Sequence, residues 1–500
     1  MTSAGGSTWR RGWVAWLVGF VLAFGSLVGW SFASAPGSSP DDDFHLGSIW
    51  CGLGEQAGRC EPSANPEWRR MPVKVIAATC HAYRSDADAS CMLVSDPDRL
   101  QDNSRGNWTG LYPPVYYAFA GLFVSHDVAA TVVTIRIVNS AIFLGVIALL
   151  LAIGPPMLRR FAIVAPIVTT IPLGAFIIAS INPSSWAVTS AVAVAGALVL
   201  LPRTTGWRQW AAAALAIVGA FIGSGARADS AIATAVAVAI ALVLGIRRAG
   251  RSSWLLVGTG ALAVGIGATF LLSSGQSNAA VTGLDGTGAV ASEALLGYLA
   301  TNLFDIPALL AGVFGAPPVG ALGWFDVPLM SWIWVAAFGA FAIALWVGLG
   351  TMTRRRAVAI AIAAASAYGY ALLLQVQAQK PVGDTVQPRY ILPLIVVLAI
   401  TALADEQAMR RLSQTSAPQR WLPLAALAIA NAAALYATTR RYVSGGGSGY
   451  FLDSSIGWWW MLPPIVSPMA AWLLAAGAYA GLLVLLAVTS GPKRLTTHRL

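Results

Sequence analysis

Trp13–Phe32 reads WVAWLVGFVLAFGSLVGWSF, twenty residues without a charge, and Pro40-Asp41-Asp42-Asp43-Phe44-His45 follows closely. The run is long enough to cross a bilayer, which takes roughly 17–25 apolar residues. It exceeds the roughly 7–15 residues of a signal-peptide core. Ala33-Ser34-Ala35 resembles a cleavage site, but the length argues for a retained span. Three carboxylates and an imidazole therefore stand just past a membrane-length segment, in a chain that is only 10% charged.

Similar runs recur throughout the 500 residues, which are 57% hydrophobic with a mean hydropathy of +0.68. A soluble fold cannot bury that much apolar surface, so the chain reads as one all-α polytopic membrane domain, 1–500, embedded in a lipid bilayer. Crossings are predicted at 13–33, 129–153, 161–180, 185–202, 208–225, 228–246, 253–273, 329–350, 357–375, 390–404, 420–437 and 466–489, about 12 in all. A net charge of +10 would suggest nucleic acid in a soluble protein. Here its placement argues against that partner. Basic residues concentrate in alternate short segments (Arg10, Arg11, Arg159, Arg160, Arg203, Arg208, Arg247, Arg248, Arg251, Arg354–Arg356, Arg410, Arg411, Arg420) and in the tail (Lys493, Arg494, Arg499). The positive-inside rule puts these segments and both termini in the cytoplasm of a plasma-membrane protein. Of the acidic residues, only Asp405 and Glu406 share that side.

Three extracytoplasmic segments are long. The first, 34–128, holds all four cysteines, Cys51, Cys60, Cys80 and Cys91, with spacings wrong for a CxxC zinc site. An oxidising compartment favours disulfides, and local pairing, Cys51 with Cys60 and Cys80 with Cys91, is preferred among three connectivities. Tyr112–Val124 reads as a juxtamembrane helix. In the second segment, 274–328, the apolar stretch Ala291–Phe314 reads as interfacial or re-entrant, because counting it as a crossing would invert every later loop. The third, 438–465, carries Gly445–Gly447 and Trp458–Trp460.

Asp41, Asp42 and His45 are the candidate catalytic residues. On a helix Asp41 and His45 lie one turn apart, and clustered carboxylates raise the pKa of at least one, which suits a general base toward a sugar hydroxyl. A solvated acidic loop or a helix N-cap explains the same residues. So does a cation site, since Asp41, Asp42 and Asp43 offer oxygen ligands for Mg²⁺ or Mn²⁺; such a cofactor is allowed but not required. Arg227 and Asp229, in a tight turn between two apolar runs, read as a functional pair or as a mutual ion pair. Arg389 in Gln387-Pro388-Arg389-Tyr390, with Lys380 nearby, reads as a lipid-phosphate ligand or as a headgroup anchor. Tyr112, Tyr116, Asn182, Trp324, Asp326, Gln387 and Tyr390 complete the candidate lining. Aromatic belts account for the aromatic members equally well. All these motifs fall on one side of a topology that was set by other residues.

Pro40-Asp41-Asp42 with His45 resembles the P-D-E-x-x-H pattern of a bacterial membrane family catalogued as domain of unknown function 2142. Tyr112-Pro113-Pro114-Val115-Tyr116-Tyr117 is similar to its P-P-L-Y-Y stretch, Gly320–Asp326 to its L-G-W-L-D segment, and Arg389-Tyr390 with Pro393 to its R-Y-x-x-P. Asp42 departs from the family's usual Glu, and Asp43 is an extra acid. That family in turn resembles the GT-C glycosyltransferases. The resemblance implies a GT-C-like fold and an inverting enzyme at the outer membrane face. Such an enzyme takes a sugar from a polyprenyl-phosphate donor and passes it to an acceptor. The Ala- and Arg-rich, Lys-poor composition suggests a GC-rich genome, as in actinobacteria, and an envelope polysaccharide or glycolipid as acceptor. In this reading Asp41 or Asp42 is the base, Arg389 and then Arg227 meet the phosphate, and the tyrosines and tryptophans line sugar or lipid. The alternative is a transporter or flippase of a lipid-linked precursor, which would need the arginines but no base.

Overall fold

Long apolar runs become long helices, because backbone polar groups in hydrocarbon must be satisfied within the segment. The computed structural model describes residues 4–246, 250–276, 292–350, 352–447, 449–454, 459 and 467–489. Arg247, Arg248, Lys493, Arg494, Arg499, Trp458 and Trp460 lie outside the described residues. Helix α1 (Ala4–Ala33) is followed by three short helices, α2 (Asp42–Trp50), α3 (Val73–Ala77) and α4 (Val115–Gly121). Next come α5 (Val128–Ile153), α6 (Phe161–Thr170), α7 (Leu173–Ile178), α8 (Ser184–Leu200), α9 (Trp207–Ala226), α10 (Ser230–Gly245) and α11 (Arg251–Ser273). The remainder are α12 (Ser292–Leu303), α13 (Ile306–Gly312), α14 (Ser331–Leu349), α15 (Arg354–Ala378), α16 (Leu392–Leu403), α17 (Glu406–Ser413), α18 (Ala417–Ser444) and α19 (Pro468–Thr489).

Among the described residues nine helices are long and apolar enough to cross a membrane, and up to 11 spans result if each of two bent pairs is counted. The pairs are α12 with α13, bent by 58°, and α16 with α17, bent by 83°. The expected dozen thus becomes nine to eleven. The expected crossing at 161–180 is divided into α6 and α7 at Ile171-Pro172, where proline has no N–H to continue the ladder. Helix α10 is apolar but only 16 residues long. At 1.5 Å per residue it falls short of a hydrocarbon core of about 30 Å. The stretch 291–314, expected to be interfacial or re-entrant, contains the bent pair α12 and α13.

The first loop corrects the all-α expectation. It carries a three-stranded antiparallel sheet, β1 (Glu61–Pro62), β2 (Arg69–Pro72) and β3 (Leu100–Asn103), with β2 in the centre and Arg69 opposite Asn103. The disulfides pair locally as expected, Cys51–Cys60 and Cys80–Cys91.

Helix α8 is buried on all sides, as an evenly apolar helix must be. It packs on α5, α9, α10 and α16. Small residues permit close approach: Gly219 of α9 faces Ala193, and Gly196 of α8 faces Leu150. Helix α1 lies against α5, α18 and α19. Its last turn and the following bend leave carbonyls without helical partners. Arg136 of α5, itself fully buried, fills that need. Its Nη1 donates to the Ser31 and Ser34 carbonyls at 3.1 and 2.5 Å, and its Nη2 to the Ala35 carbonyl and Ser38 Oγ at 2.9 and 3.2 Å. Further along, Trp324 Nε1 donates to the Gly37 carbonyl (2.8 Å) and Tyr442 Oη to that of Ser38 (3.2 Å). Gly37 has φ +74°, and a Cβ there would lie 2.4 Å from the Ala78 carbonyl oxygen, so the bend requires glycine.

Arg136→Met strands these acceptors at roughly 1–3 kcal/mol for each one left unsatisfied. Thermal unfolding in detergent should drop by many degrees in Arg136→Met, and Arg136→Lys, which lacks the planar fork, should fall between it and wild type.

Candidate functional site

The bend after α1 delivers Asp41 in a left-handed backbone conformation, φ 64° and ψ 16°. Aspartate tolerates this better than most residues, yet such a position costs roughly 1–3 kcal/mol and persists only where its surroundings impose it. Here they do. The Pro40 carbonyl accepts from Arg389 Nη1 and from Asn182 Nδ2, each at 2.9 Å. The Asp41 carbonyl accepts the Phe44 and His45 amides at 2.9 Å, opening α2.

The three carboxylates then diverge. Asp41 forms an ion pair with Arg389 and keeps 32% of its side chain exposed, while the guanidinium is almost wholly buried. Burial works to raise the Asp41 pKa, but Arg389, assisted by Arg105, outweighs it and holds the carboxyl below its ordinary value. Asp42 turns inward and is completely buried. Its Oδ2 accepts the Ser39 amide at 2.9 Å, and its Oδ1 has no partner among the described residues. Burial pushes its pKa up to about 7. Asp43 pairs with Arg105 Nε at 2.7 Å. Among the described residues no three of His, Cys, Asp or Glu converge as a metal site would need. Asp41, Asp42 and Asp43 therefore do not form a shared cation cradle in this arrangement.

His45 is one turn from Asp41, as expected, but its ring points into the protein. Nδ1 meets Tyr117 Oη at 2.9 Å, Nε2 has no partner among the described residues, and the ring stands edge-on to Tyr112 at 5.3 Å. Burial pushes its pKa down to about 3, so the imidazole is neutral around pH 7.

A second ion pair lies beside the first. Arg227 Nε and Nη2 donate to Asp229 at 3.0 and 2.5 Å, closing the turn between α9 and α10, and Nη1 reaches Ser184 Oγ at 3.3 Å. The Tyr390 ring binds both cations, with the Arg227 and Arg389 guanidinium carbons 4.9 and 5.2 Å from its centre. Tyr112 also lies under Arg227, at 5.7 Å. Arg227, Asp229, Tyr370, Arg389, Tyr390 and Pro393 line a crevice of about 10 Å³. That is room for one water-sized group, so a larger ligand must approach over the exposed edge of Asp41 or displace side chains.

The remaining expected residues serve other positions. Tyr116 is fully buried behind the site, its hydroxyl accepting from Asn139 Nδ2 at 3.1 Å and its ring edge-on to Trp186. Asn182 and Trp324 hold backbone carbonyls of the bend rather than line the crevice. Asp326 is bound by Arg441 Nη2 at 2.7 Å and accepts the Trp324 amide at 2.9 Å. Arg441 also donates to the carbonyls of His81, Arg84 and Ala87, tying the Cys80–Cys91 segment to α18. Gln387 contributes its backbone carbonyl to the turn before α16, and its Oε1 has no partner among the described residues. Lys380 is half-exposed and pairs with Asp384 at 3.5 Å, apart from the Arg389 contacts. Sequence reasoning missed Arg136, Tyr117, Tyr370 and Arg441. A lone arginine inside an apolar run was the available signal for Arg136 and the Tyr112–Tyr117 motif for Tyr117, whereas Tyr370 carried none.

The buried Asp42 makes stability pH-dependent. Its pKa is raised on folding, so its contribution is complete below about pH 4 and is lost as pH rises through about 7. His45 acts oppositely, with stability present above its ordinary value of 6.5 and lost as pH falls toward 3. Asp42→Asn removes the first term alone. Denaturation midpoints at pH 4 to 8 should show the variant gaining on wild type as pH rises, by a few kcal/mol at most. A pH-independent difference would mean that Asp42 does not titrate in this range.

Neither a curated protein nor a solved structure matches the chain. One family model does, over residues 24–398, a stretch that contains the α1–α2 bend, both ion pairs and the crevice. The chain belongs to the family of predicted membrane proteins described as DUF2142.

Proposed function

We propose that this protein is a membrane glycosyltransferase of GT-C type, transferring a sugar from a polyprenyl-monophosphate donor to an envelope glycan or glycolipid at the outer face of the plasma membrane. The carrying observation is the Asp41–Arg389 pair: an ionised carboxylate with an exposed edge, held at the end of α1 by a buried guanidinium. Of the two candidate bases, Asp41 takes the role, because Asp42 exposes no atom to an acceptor.

The acceptor hydroxyl gives its proton to Asp41 as its oxygen bonds to the anomeric carbon. The bond from that carbon to the phosphate oxygen breaks on the opposite face, inverting the centre. Polyprenyl phosphate leaves with the electron pair, and its charge falls to Arg389, with Arg227 behind it. A guanidinium poised where charge develops is the form of electrostatic stabilisation that contributes most to such steps. The donor phosphate draws Arg389 away from Asp41, and a carboxylate relieved of its cation becomes more basic. His45 stays neutral and fixes α2 through Tyr117, so it positions rather than transfers protons. Tyr112 and Tyr390 present ring faces and edges to the sugar.

Purified protein supplied with a panel of synthetic polyprenyl-phosphate sugars tests this reading. Asp41→Asn should lose about 10²–10⁴-fold in transfer, the usual contribution of a general base. Arg389→Lys should lose about 10²–10³-fold. Asp42→Asn should keep most activity once folded. Undiminished transfer by Asp41→Asn would remove the base assignment.

A further inference from the structure

A large cavity lies toward the opposite end of the bundle from Asp41. It has a volume of about 840 Å³ and is bounded by α1, α5, α6, α14, α18 and α19. Chain direction fixes its place: it is lined by the middle of α1 from Ala15 to Leu27, by the start of α18 around Arg420 and by the last half of α19. The far ends of α1 and α18 lead to Asp41 and Arg441.

The lining is almost wholly apolar except at one end, where Arg159, Arg160 and Arg420 gather. No acidic residue is among the described residues of the lining. Arg159 lies over the Trp16 ring at 5.3 Å. Arg420 Nε and Nη1 are buried from solvent and have no partner among the described residues. A guanidinium withdrawn from water without an anion is costly, and planar bidentate pairing with phosphate is the contact it suits best. The apolar part is also limited in depth. Along α1 the lining runs from Ala15 to Leu27, about 18 Å, and on the α6 side it reaches Ala175 just past the break at Ile171. That is little more than half of a hydrocarbon core of about 30 Å. Tyr479, midway along α19, is the first residue of that helix in the lining. Trp346 and Leu422 of the lining are 78% and 74% exposed on the bundle's outer surface, so the cavity meets the bilayer sideways.

We propose that this cavity binds one diacyl phospholipid with an anionic headgroup, its phosphate on Arg159, Arg160 and Arg420 and its acyl chains within a single leaflet. Basic pockets between helices are the usual way an anionic headgroup is recognised within a membrane protein. A one-leaflet depth matches the length of a phospholipid's two acyl chains. The site is separate from Asp41 and does not depend on any enzymatic activity.

Native mass spectrometry of the full chain, delipidated and then titrated from micelles, tests the proposal with phosphatidylglycerol, phosphatidylcholine and undecaprenyl phosphate as separate probes. One phosphatidylglycerol should be retained at least tenfold more tightly than phosphatidylcholine. The Arg159→Gln/Arg160→Gln/Arg420→Gln variant should lose that preference. Arg420→Gln alone should weaken it where the triple variant fails to fold. Ile167→Trp, which fills the cavity and leaves the arginines in place, should abolish retention and so separate an inserted lipid from one merely resting on the surface. Equal retention of phosphatidylcholine, unchanged binding in Arg420→Gln and Ile167→Trp, or preferential uptake of undecaprenyl phosphate would each overturn the assignment.

Discussion

Everything at the Asp41 end rests on carbonyls that a helix terminus cannot satisfy by itself. Between Ser31 and Pro40 the chain leaves α1, bends and enters α2, and its carbonyl oxygens turn inward rather than to water. In a membrane protein such irregular backbone survives only where other parts of the protein supply the missing donors. Here the donors arrive from across the chain: Arg136 from α5, Asn182 from the turn before α8, Trp324 from the loop before α14, Arg389 from the turn before α16 and Tyr442 from α18. One short bend therefore fastens five separate regions. It also explains why Asp41 can hold a left-handed conformation: its neighbours are pinned carbonyl by carbonyl.

The same clamp sorts three adjacent carboxylates into three environments. Asp43 faces outward to an exposed arginine. Asp42 is driven into the interior, where desolvation favours its neutral form. Asp41 retains an exposed edge, and Arg389 keeps it ionised despite its burial. Two ion pairs joined by the Tyr390 ring then place two cations beside that carboxylate. Arg389 is both a structural donor to Pro40 and the ion-pair partner of the exposed Asp41 edge, so anything that attracts it also changes the basicity of Asp41. In the proposed transfer from a phosphate ester, this coupling is what the pair would contribute. At the other end of the bundle the electrostatic situation is reversed. Three arginines face an apolar cavity with no carboxylate in its described lining.

The broad architecture was legible because membrane spans are written locally. Twenty uncharged residues can do little in water except leave it, and loops bearing Arg159, Arg160 and Arg354–Arg356 resist crossing. Local spacing was likewise sufficient for both disulfides, whose cysteines are nine and eleven residues apart. The count of spans was less secure. Hydropathy does not register that Pro172 divides one run into α6 and α7, or that α16 turns by 83° into α17. The small sheet in the first loop escaped because its strands have two to four residues, too few to display a period.

Sequence alone determined which chemical groups the site contains: acidic residues and a histidine after the first span, an Arg-Ala-Asp turn and an Arg-Tyr turn, all assigned to one face. Tertiary structure decided what each group can do. Asp41, Asp42 and Asp43 are equivalent as letters, and only burial and their separate partners distinguish a reachable carboxylate from a buried one. Tyr116 and Asp326 read as lining residues, yet packing commits them to Asn139 and Arg441. Arg136, a single charge in an apolar helix, became central only when the carbonyls it serves, about a hundred residues away in the chain, came within reach. Hydrophobicity is a sum over neighbours in sequence, whereas desolvation, ion pairing and hydrogen-bond satisfaction depend on neighbours in space.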